Sequence, residues 1–309
     1  MKHKPPIITL LLIFFVIAQL IGLALIDYDA TPTISEDNVT MVVEFSETAA
    51  GPRPELSGVE TLIYLVVGIG IATLILLGLI KLKFGGKLWK VWYFLAVTTA
   101  LTIAFGVLIP HFLAFILGAI LALFKILKHN FYTHNITELF MYAGLAVMLV
   151  PLLDLFWAII LLLAISLYDA YAVWKSKHMV KLAQFTTKQN LFAGLAITYT
   201  EDGKKNTTKK STSKKGAQKK VKMKQAILGG GDIVFPLLFS GAVLINLLQS
   251  GFTKLAAFGL SAIIVAGVTT SLALLFIKGK KEKFYPAMPF LTVGCLVGYG
   301  VLQLVLLLV

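Results

Sequence analysis

Two stretches decide the fold: LFWAIILLLAISLYDAYAVW, residues 155–174, and LGGGDIVFPLLFSGAVLINL, residues 228–247. Each stretch contains one charged side chain, Asp169 in the first and Asp232 in the second. An α-helix rises about 1.5 Å per residue, so about 20 apolar residues cross the roughly 30 Å of hydrocarbon in a bilayer. We therefore predict two membrane-spanning helices, each with one acid inside it.

The rest of the chain has the same character. Of its 309 residues, 58% are hydrophobic and 14% are charged, and the mean hydropathy is +0.87, whereas a soluble domain carries about 25% charged residues. The first apolar run lacks a small-residue cleavage pattern, so we interpret it as a retained span. We predict an all-α polytopic membrane protein with nine transmembrane helices, at about 7–26, 60–80, 90–109, 111–127, 137–152, 154–174, 228–249, 254–277 and 286–309.

The lysines predict the orientation of these spans. If the N-terminus is cytoplasmic and nine spans alternate, 26 of the 28 basic residues fall in cytoplasmic segments, and only Arg53 and Lys254 fall outside. Basic residues in short loops mark the cytoplasmic side. We therefore expect a multi-pass protein of the cell membrane with a cytoplasmic N-terminus and an extracellular C-terminus. The net charge of +13 then reflects topology, and we expect no nucleic-acid partner.

The charge pattern also divides the chain. We predict transmembrane helices 1–6 within residues 1–174, including an outer loop at 27–59, and helices 7–9 within 228–309, completing one membrane domain. Between them, 175–227 is predicted as a basic, flexible cytoplasmic loop that lies against anionic membrane lipid. Its apolar patch, 191–197, is too short to span and is predicted to lie at the membrane interface.

Asp169 and Asp232 are the candidate chemical groups. An aspartate at membrane depth costs roughly 2.5–3.5 kcal/mol on insertion scales, and Asp154, at an outer boundary, can reach water instead. Asp169 precedes Trp174 by five residues and Asp232 follows Ala226 by six, which places both acids about 7–9 Å inside the cytoplasmic boundary. Paired carboxyl groups can activate water and protonate a carbonyl, as in aspartic proteases. This chemistry needs no metal and no cofactor.

Two further segments are predicted at the same depth. Gly229, Gly230 and Gly231 directly precede Asp232; glycine propagates a helix poorly but permits close approach, and a glycine-rich edge can accept an extended substrate by strand pairing. Pro286, Ala287, Met288 and Pro289 begin the ninth span. Three elements should therefore converge on one site.

These motifs resemble those of a known family. Tyr168-Asp169, Gly229-Gly230-Gly231-Asp232 and Pro286-Ala287-Met288 look like the YD, GxGD and PAL motifs of the presenilin and signal-peptide-peptidase family of intramembrane aspartyl proteases, on helices six, seven and nine of a presenilin-like fold. The order of the motifs and the nine-span count also match. One departure is Met288 where leucine is usual; it conserves volume and apolarity.

The resemblance implies a function. Asp169 and Asp232 would be catalytic, the segment at Pro286 would support the site, and Tyr168 would pack beside it. The substrates would be transmembrane helices of other proteins, and the presenilin-like orientation favours single-span substrates with an outer N-terminus. The short chain suggests an archaeal homologue, and a homo-oligomer is compatible with the sequence.

Two alternatives remain at this point. An ion-coupled or proton-coupled transporter also uses intramembrane carboxylates and glycine-interrupted helices, but here the acids are confined to one site and no paired repeat is visible. A prepilin-type peptidase also carries a GxGD motif, but it usually lacks the PAL element and has fewer spans.

Overall fold

The computed structural model describes residues 5–35, 40–56, 58–81, 85–127, 130–176, 193–200, 223–279 and 285–308. Within these ranges nine long helices occupy the nine predicted runs: α1 (Pro5–Asp29), α2 (Val59–Lys81), α3 (Gly85–Gly106), α4 (His111–Leu127), α5 (Phe131–Leu149), α6 (Leu155–Tyr171), α7 (Gly231–Gln249), α8 (Lys254–Lys278) and α9 (Met288–Leu308). Seven of them are long and apolar enough to cross a membrane; α2 and α4 contain shorter apolar stretches.

The prediction of an all-α fold was wrong in detail, because two β-hairpins accompany the helices. Strands β1 (Ala30–Ile34) and β2 (Met41–Phe45) pair antiparallel inside the predicted outer loop, and β3 (Gly194–Thr200) pairs with β4 (Met223–Gly229). Alternating apolar residues explain β3, since Leu195 and Ile197 are buried in the core. Residues 194–197 of the apolar patch therefore belong to a packed strand, and the interfacial position of the patch stays a prediction.

Element boundaries differ from the prediction where polar residues pack against elements that are distant in sequence. Helix α5 begins at Phe131, six residues before the predicted start, because its polar first turns pack against β3 instead of facing lipid. The seventh run begins as strand β4, and its helix starts only at Gly231. Helix α6 continues into one π-helical turn, Ala172–Ser176. Most of the predicted flexible loop lies outside the described residues.

Helix α7 occupies the centre of the bundle. It packs against α1, α5, α6, α8 and α9, and most of its side chains are buried. Neighbouring helix α9 is held closely against α8 by glycines: a Cβ added at Gly294 would lie 2.7 Å from the Ser271 Cβ, and one at Gly298 would lie 3.0 Å from the Ile264 Cα. Small residues permit such close helix packing in membranes. The tight crossing fixes the position of the first turn of α9.

The two cations predicted to lie outside meet the same end of α1. Arg53 Nη2 lies 2.7 Å from Asp29 Oδ2, and Lys254 Nζ donates to the Asp27 carbonyl at 2.7 Å. Hairpin β1–β2 follows directly after Asp29. These groups therefore share one end of the bundle, opposite the end that carries β3 and β4.

Candidate active site

Asp169 lies in the last turn of α6 and is only 5% exposed. Its Oδ2 accepts a hydrogen bond from the Met288 backbone N–H at 3.1 Å, and the Ala287 backbone also interacts with this carboxyl group. Sequence separation between Asp169 and Met288 is 119 residues. The structure thus brings the first and third predicted motifs into direct contact.

The segment that contacts Asp169 is shaped by its prolines and by the start of α9. The Ala287 carbonyl accepts the backbone N–H groups of Phe290 and Leu291 at 3.1 Å, so Ala287 caps the helix. Pro286 is buried and Pro289 lies in the first turn, where a helical N–H has no intrahelical partner and proline is tolerated. The N-terminus of a helix attracts negative charge, so the first turn of α9 suits the Asp169 carboxylate.

Asp232 lies in the first turn of α7 and is half-buried. Its carboxyl group accepts a hydrogen bond from the Gly229 backbone N–H and lies within electrostatic range of Asp169. A Cβ added at Gly229 would lie 3.2 Å from Asp232 Oδ2. Glycine at this position therefore leaves room for the carboxyl group.

The other two glycines of the motif differ from each other. A Cβ added at Gly230 would lie 3.0 Å from both Cε1 and Oη of Tyr142, so this glycine admits the tyrosine ring, and its N–H donates to the Ala193 carbonyl at 3.2 Å. Gly231 is exposed, and a Cβ there would make an ordinary contact with Phe235 at 3.5 Å. Tyr168, beside Asp169 on α6, is half-buried, and its supporting role stays a prediction.

Sequence reasoning missed Gln19 of α1. This residue is fully buried, and its Nε2 donates to the Ile233 carbonyl at 2.8 Å, one residue after Asp232. Proline at 236 has no N–H to offer the Asp232 carbonyl in the helix ladder, so the first turn of α7 is short of internal bonds. The sequence did contain a signal for Gln19, because it carries the only amide side chain in the first apolar run.

A buried ion pair was also missed. Glu138 of α5 binds Lys125 of α4, and the two side chains are 0% and 2% exposed. The sequence signal was weak, because Glu138 lies inside the predicted fifth span but only one residue from its start, a boundary position like that of Asp154. Lys125 was counted among the lysines of the cytoplasmic segments, and the structure buries its side chain against Glu138.

Comparisons with known proteins identify the family and the fold. The profile of the family described as "Signal-peptide peptidase, presenilin aspartyl protease" matches residues 34–307. No curated protein matches the chain. A solved presenilin family intramembrane aspartate protease, crystallised in space group C222, superposes with a TM-score of 0.59 at 16% identity, covering 96% of this chain and 99% of that one.

A second structure described in the same words, from a P2 crystal, gives a TM-score of 0.55 at 17% identity over 94% of this chain and 96% of that one. At this identity the superpositions show a shared fold, and the family profile spans most of the sequence. The several apolar helices and the membrane-protease family together identify an integral multi-pass membrane protein. The chain belongs to the signal-peptide peptidase and presenilin family of aspartyl proteases.

Proposed function

We propose that this protein is an intramembrane aspartyl endopeptidase of the GxGD type, which hydrolyses peptide bonds within transmembrane segments by means of Asp169 and Asp232. The observation that carries the proposal is the position of the two carboxyl groups, which lie on neighbouring helices of an apolar bundle and within electrostatic range of each other. Within the described part of the chain, neither carboxyl group forms an ion pair with lysine or arginine. Two neighbouring carboxyl groups without a basic partner can keep a proton, and peptide hydrolysis can use that proton.

The reaction follows from the pairing. Two interacting carboxyl groups titrate as a unit, so one proton can be shared between them. The ionised group removes a proton from water, whose oxygen attacks the scissile carbonyl carbon, while the protonated group donates to the carbonyl oxygen. Collapse of the tetrahedral intermediate then breaks the C–N bond, and a proton passes to the departing amine. The Met288 N–H holds Asp169 in place by a charge-assisted bond.

Strand β4 offers a route for the substrate. It ends at Gly229, three residues before Asp232, and it is paired with β3 on one side. A helical substrate must unwind before its peptide bond is accessible, and an extended segment can add to the other edge of β4 through main-chain hydrogen bonds. Such a strand would lead its peptide bonds towards Asp232.

We further propose that the protein lies in the cell membrane with its N-terminus cytoplasmic and its C-terminus extracellular. The distribution of lysine supports this orientation, as does the position of Arg53 and Lys254 at one end of the bundle. The substrates would then be single-span proteins with an outer N-terminus. Reporter fusions should place the C-terminus outside; a cytoplasmic C-terminus would overturn the orientation.

The decisive experiment is cleavage of a labelled transmembrane peptide by purified protein in detergent, with the products located by mass spectrometry. Wild type should cut within the apolar segment. Asp169→Ala and Asp232→Ala should each lose at least about 10²-fold to 10⁴-fold in rate, as expected for acid–base groups. Asp154→Ala is the matched control, because Asp154 is exposed at the other end of α6 and its side chain caps nothing. A cleavage rate that is unchanged in either active-site variant would contradict the proposal.

A further inference from the structure

Strand β3 has two edges, and only one of them pairs with β4. Ala196 lies opposite Ile227 in the antiparallel register. Both backbone groups of Ala196 bind the side chain of Asn135 on α5: its N–H donates to Oδ1 at 3.0 Å, and its carbonyl accepts from Nδ2 at 3.0 Å. Ala196 therefore points away from β4. In an antiparallel ladder every second residue does so, which assigns the same outward direction to Gly194.

The contacts of Gly194 agree with this assignment. Its N–H donates to Glu138 Oε2 at 3.0 Å, and its carbonyl lies 2.9 Å from His134 Nε2. Three side chains of α5 thus satisfy all four outward backbone groups of Gly194 and Ala196. An amide side chain carries a donor and an acceptor like a peptide unit, so α5 replaces a third strand along this edge.

The opposite edge of the hairpin belongs to β4. Gly229 is the cross-strand partner of Gly194, so its backbone also points outward, and its N–H donates to Asp232. Ile227 occupies the equivalent place opposite Ala196, and its side chain is 36% exposed. The outward backbone groups of β4 therefore lie in line with the Asp232 carboxyl group. The edge of β3 is closed by α5, while the edge of β4 leads to the aspartates.

Glu138 connects this contact to the rest of the bundle. Besides Gly194 it accepts a hydrogen bond from Tyr142 Oη, and it is paired with Lys125. The ring of Tyr142 lies against Gly230. A buried charge needs several partners to be tolerated, and the Gly194 N–H of β3 is one of the partners of Glu138. The cluster therefore ties β3 to α5.

We propose that His134, Asn135 and Glu138 form a clamp on β3 that fixes the register of the hairpin, so that the outer edge of β4 receives the substrate strand beside Asp232. This inference rests on the proposed function. The three residues are positioning residues: they act on the substrate through β3 and β4. A slip of two residues keeps each side chain on its face of the sheet, so loss of the clamp should displace the scissile bond.

Hydrogen exchange tests the clamp without any reference to activity. In wild-type protein in detergent, the Ala196 amide should be protected, because Asn135 accepts its hydrogen, whereas the Ile227 amide should exchange freely. Exchange resolved to single residues measures both. An Ala196 amide that exchanges as fast as that of Ile227 would overturn the clamp, and so would an Ile227 amide that is protected as strongly as that of Ala196.

The variant Asn135→Leu tests the consequence for cleavage. It removes both bonds to Ala196, and the bond from Nδ2 to the Phe131 carbonyl, at similar volume. KM for a transmembrane peptide should therefore rise about tenfold, with a smaller change in kcat and with additional products cut about two residues away. The matched control is Asn246→Leu, at an exposed position near the other end of α7. An unchanged KM and a single unchanged cut would refute the clamp while leaving the protease intact; a wild type that cleaves nothing would instead refute the proposed function.

Discussion

Two glycines that face each other across the hairpin each donate a backbone N–H to an acid, yet the acids differ in kind. On the β3 side, Gly194 donates to Glu138, which also binds Lys125 and Tyr142. On the β4 side, Gly229 donates to Asp232, whose charged neighbour is another acid, Asp169. The first acid is matched by a cation and by donors. The second belongs to a pair of like groups.

This difference distinguishes an acid with a structural role from acids that can take part in a reaction. A buried carboxylate that is paired with lysine and fully hydrogen-bonded has no proton to exchange, so its value lies in holding elements together. Two carboxyl groups side by side share protons and can pass them to a bound molecule. Burial of an acid within a membrane therefore identifies a candidate site, and the charge of its neighbours indicates which role that site has.

The largest expected effect is on folding, and it arises on the Glu138 side. Glu138→Gln leaves the Lys125 charge buried without a partner, which should cost about 3–5 kcal/mol of stability. The double variant Lys125→Met/Glu138→Gln removes both charges and should regain most of that loss. Thermal unfolding in detergent measures both. Equal melting temperatures for the single and the double variant would contradict the structural role of the ion pair.

Asp169 should behave in the opposite way in the same assay. Asp169→Asn removes one of two like groups and retains an oxygen for the Met288 N–H, so its melting temperature should equal or exceed that of wild type. If the melting temperature of Asp169→Asn fell as far as that of Glu138→Gln, the proposed difference between the two acid sites would be wrong.

A smaller effect is expected from the backbone donor of Asp169. Met288→Pro deletes the N–H at the first position of α9, where proline fits the helix, and loss of a hydrogen bond to a charged group costs about 1.5–3 kcal/mol. Peptide cleavage should slow by about tenfold to 100-fold. The control Met288→Leu keeps the N–H at nearly the same volume and should stay close to wild type. Equal rates for the two variants would show that this bond does not serve the site.

The smallest effect joins the two sites. Gly230→Ala places a methyl group against Tyr142, and such overpacking costs about 1–3 kcal/mol. Because Tyr142 also binds Glu138, the change should be coupled to Tyr142→Phe, with an interaction of about 0.5–3 kcal/mol in a double-mutant cycle of unfolding free energies. Strict additivity would mean that the Gly230 contact is not transmitted to the Glu138 cluster.

Much of the fold could be predicted from the sequence, because local hydropathy is enough to identify membrane helices. All nine long helices of the described residues lie in predicted runs, and the motifs at Asp169 and Met288 are in direct contact. The common depth of the three motifs and the roles of Asp169 and Asp232 stay predictions. The hairpin β3–β4 could not be predicted in this way. Its register depends on Asn135 and Glu138, which lie about 60 residues away in sequence.

Polar residues satisfied by distant backbone have no local signature. The first turns of α5 looked too polar for a membrane span, and the bonds of His134 and Asn135 to β3 form only once the hairpin has folded against the helix. The sequence likewise gave no sign that Lys125, near the end of the predicted fourth span, would be buried against Glu138. Glu138 lay within a predicted span but at its boundary, where an acid can reach water, so the rule applied to the aspartates did not select it.

The central claim is that Asp169 and Asp232 perform the chemistry. Its most direct test is the cleavage rate of a transmembrane peptide by Asp169→Asn and Asp232→Asn, which preserve shape and remove the titratable proton, beside Asp154→Asn. Each active-site variant should remain folded and lose at least about 10²-fold in kcat, while Asp154→Asn cleaves at the wild-type rate. A folded Asp169→Asn or Asp232→Asn protein that cleaves as fast as wild type would contradict the account.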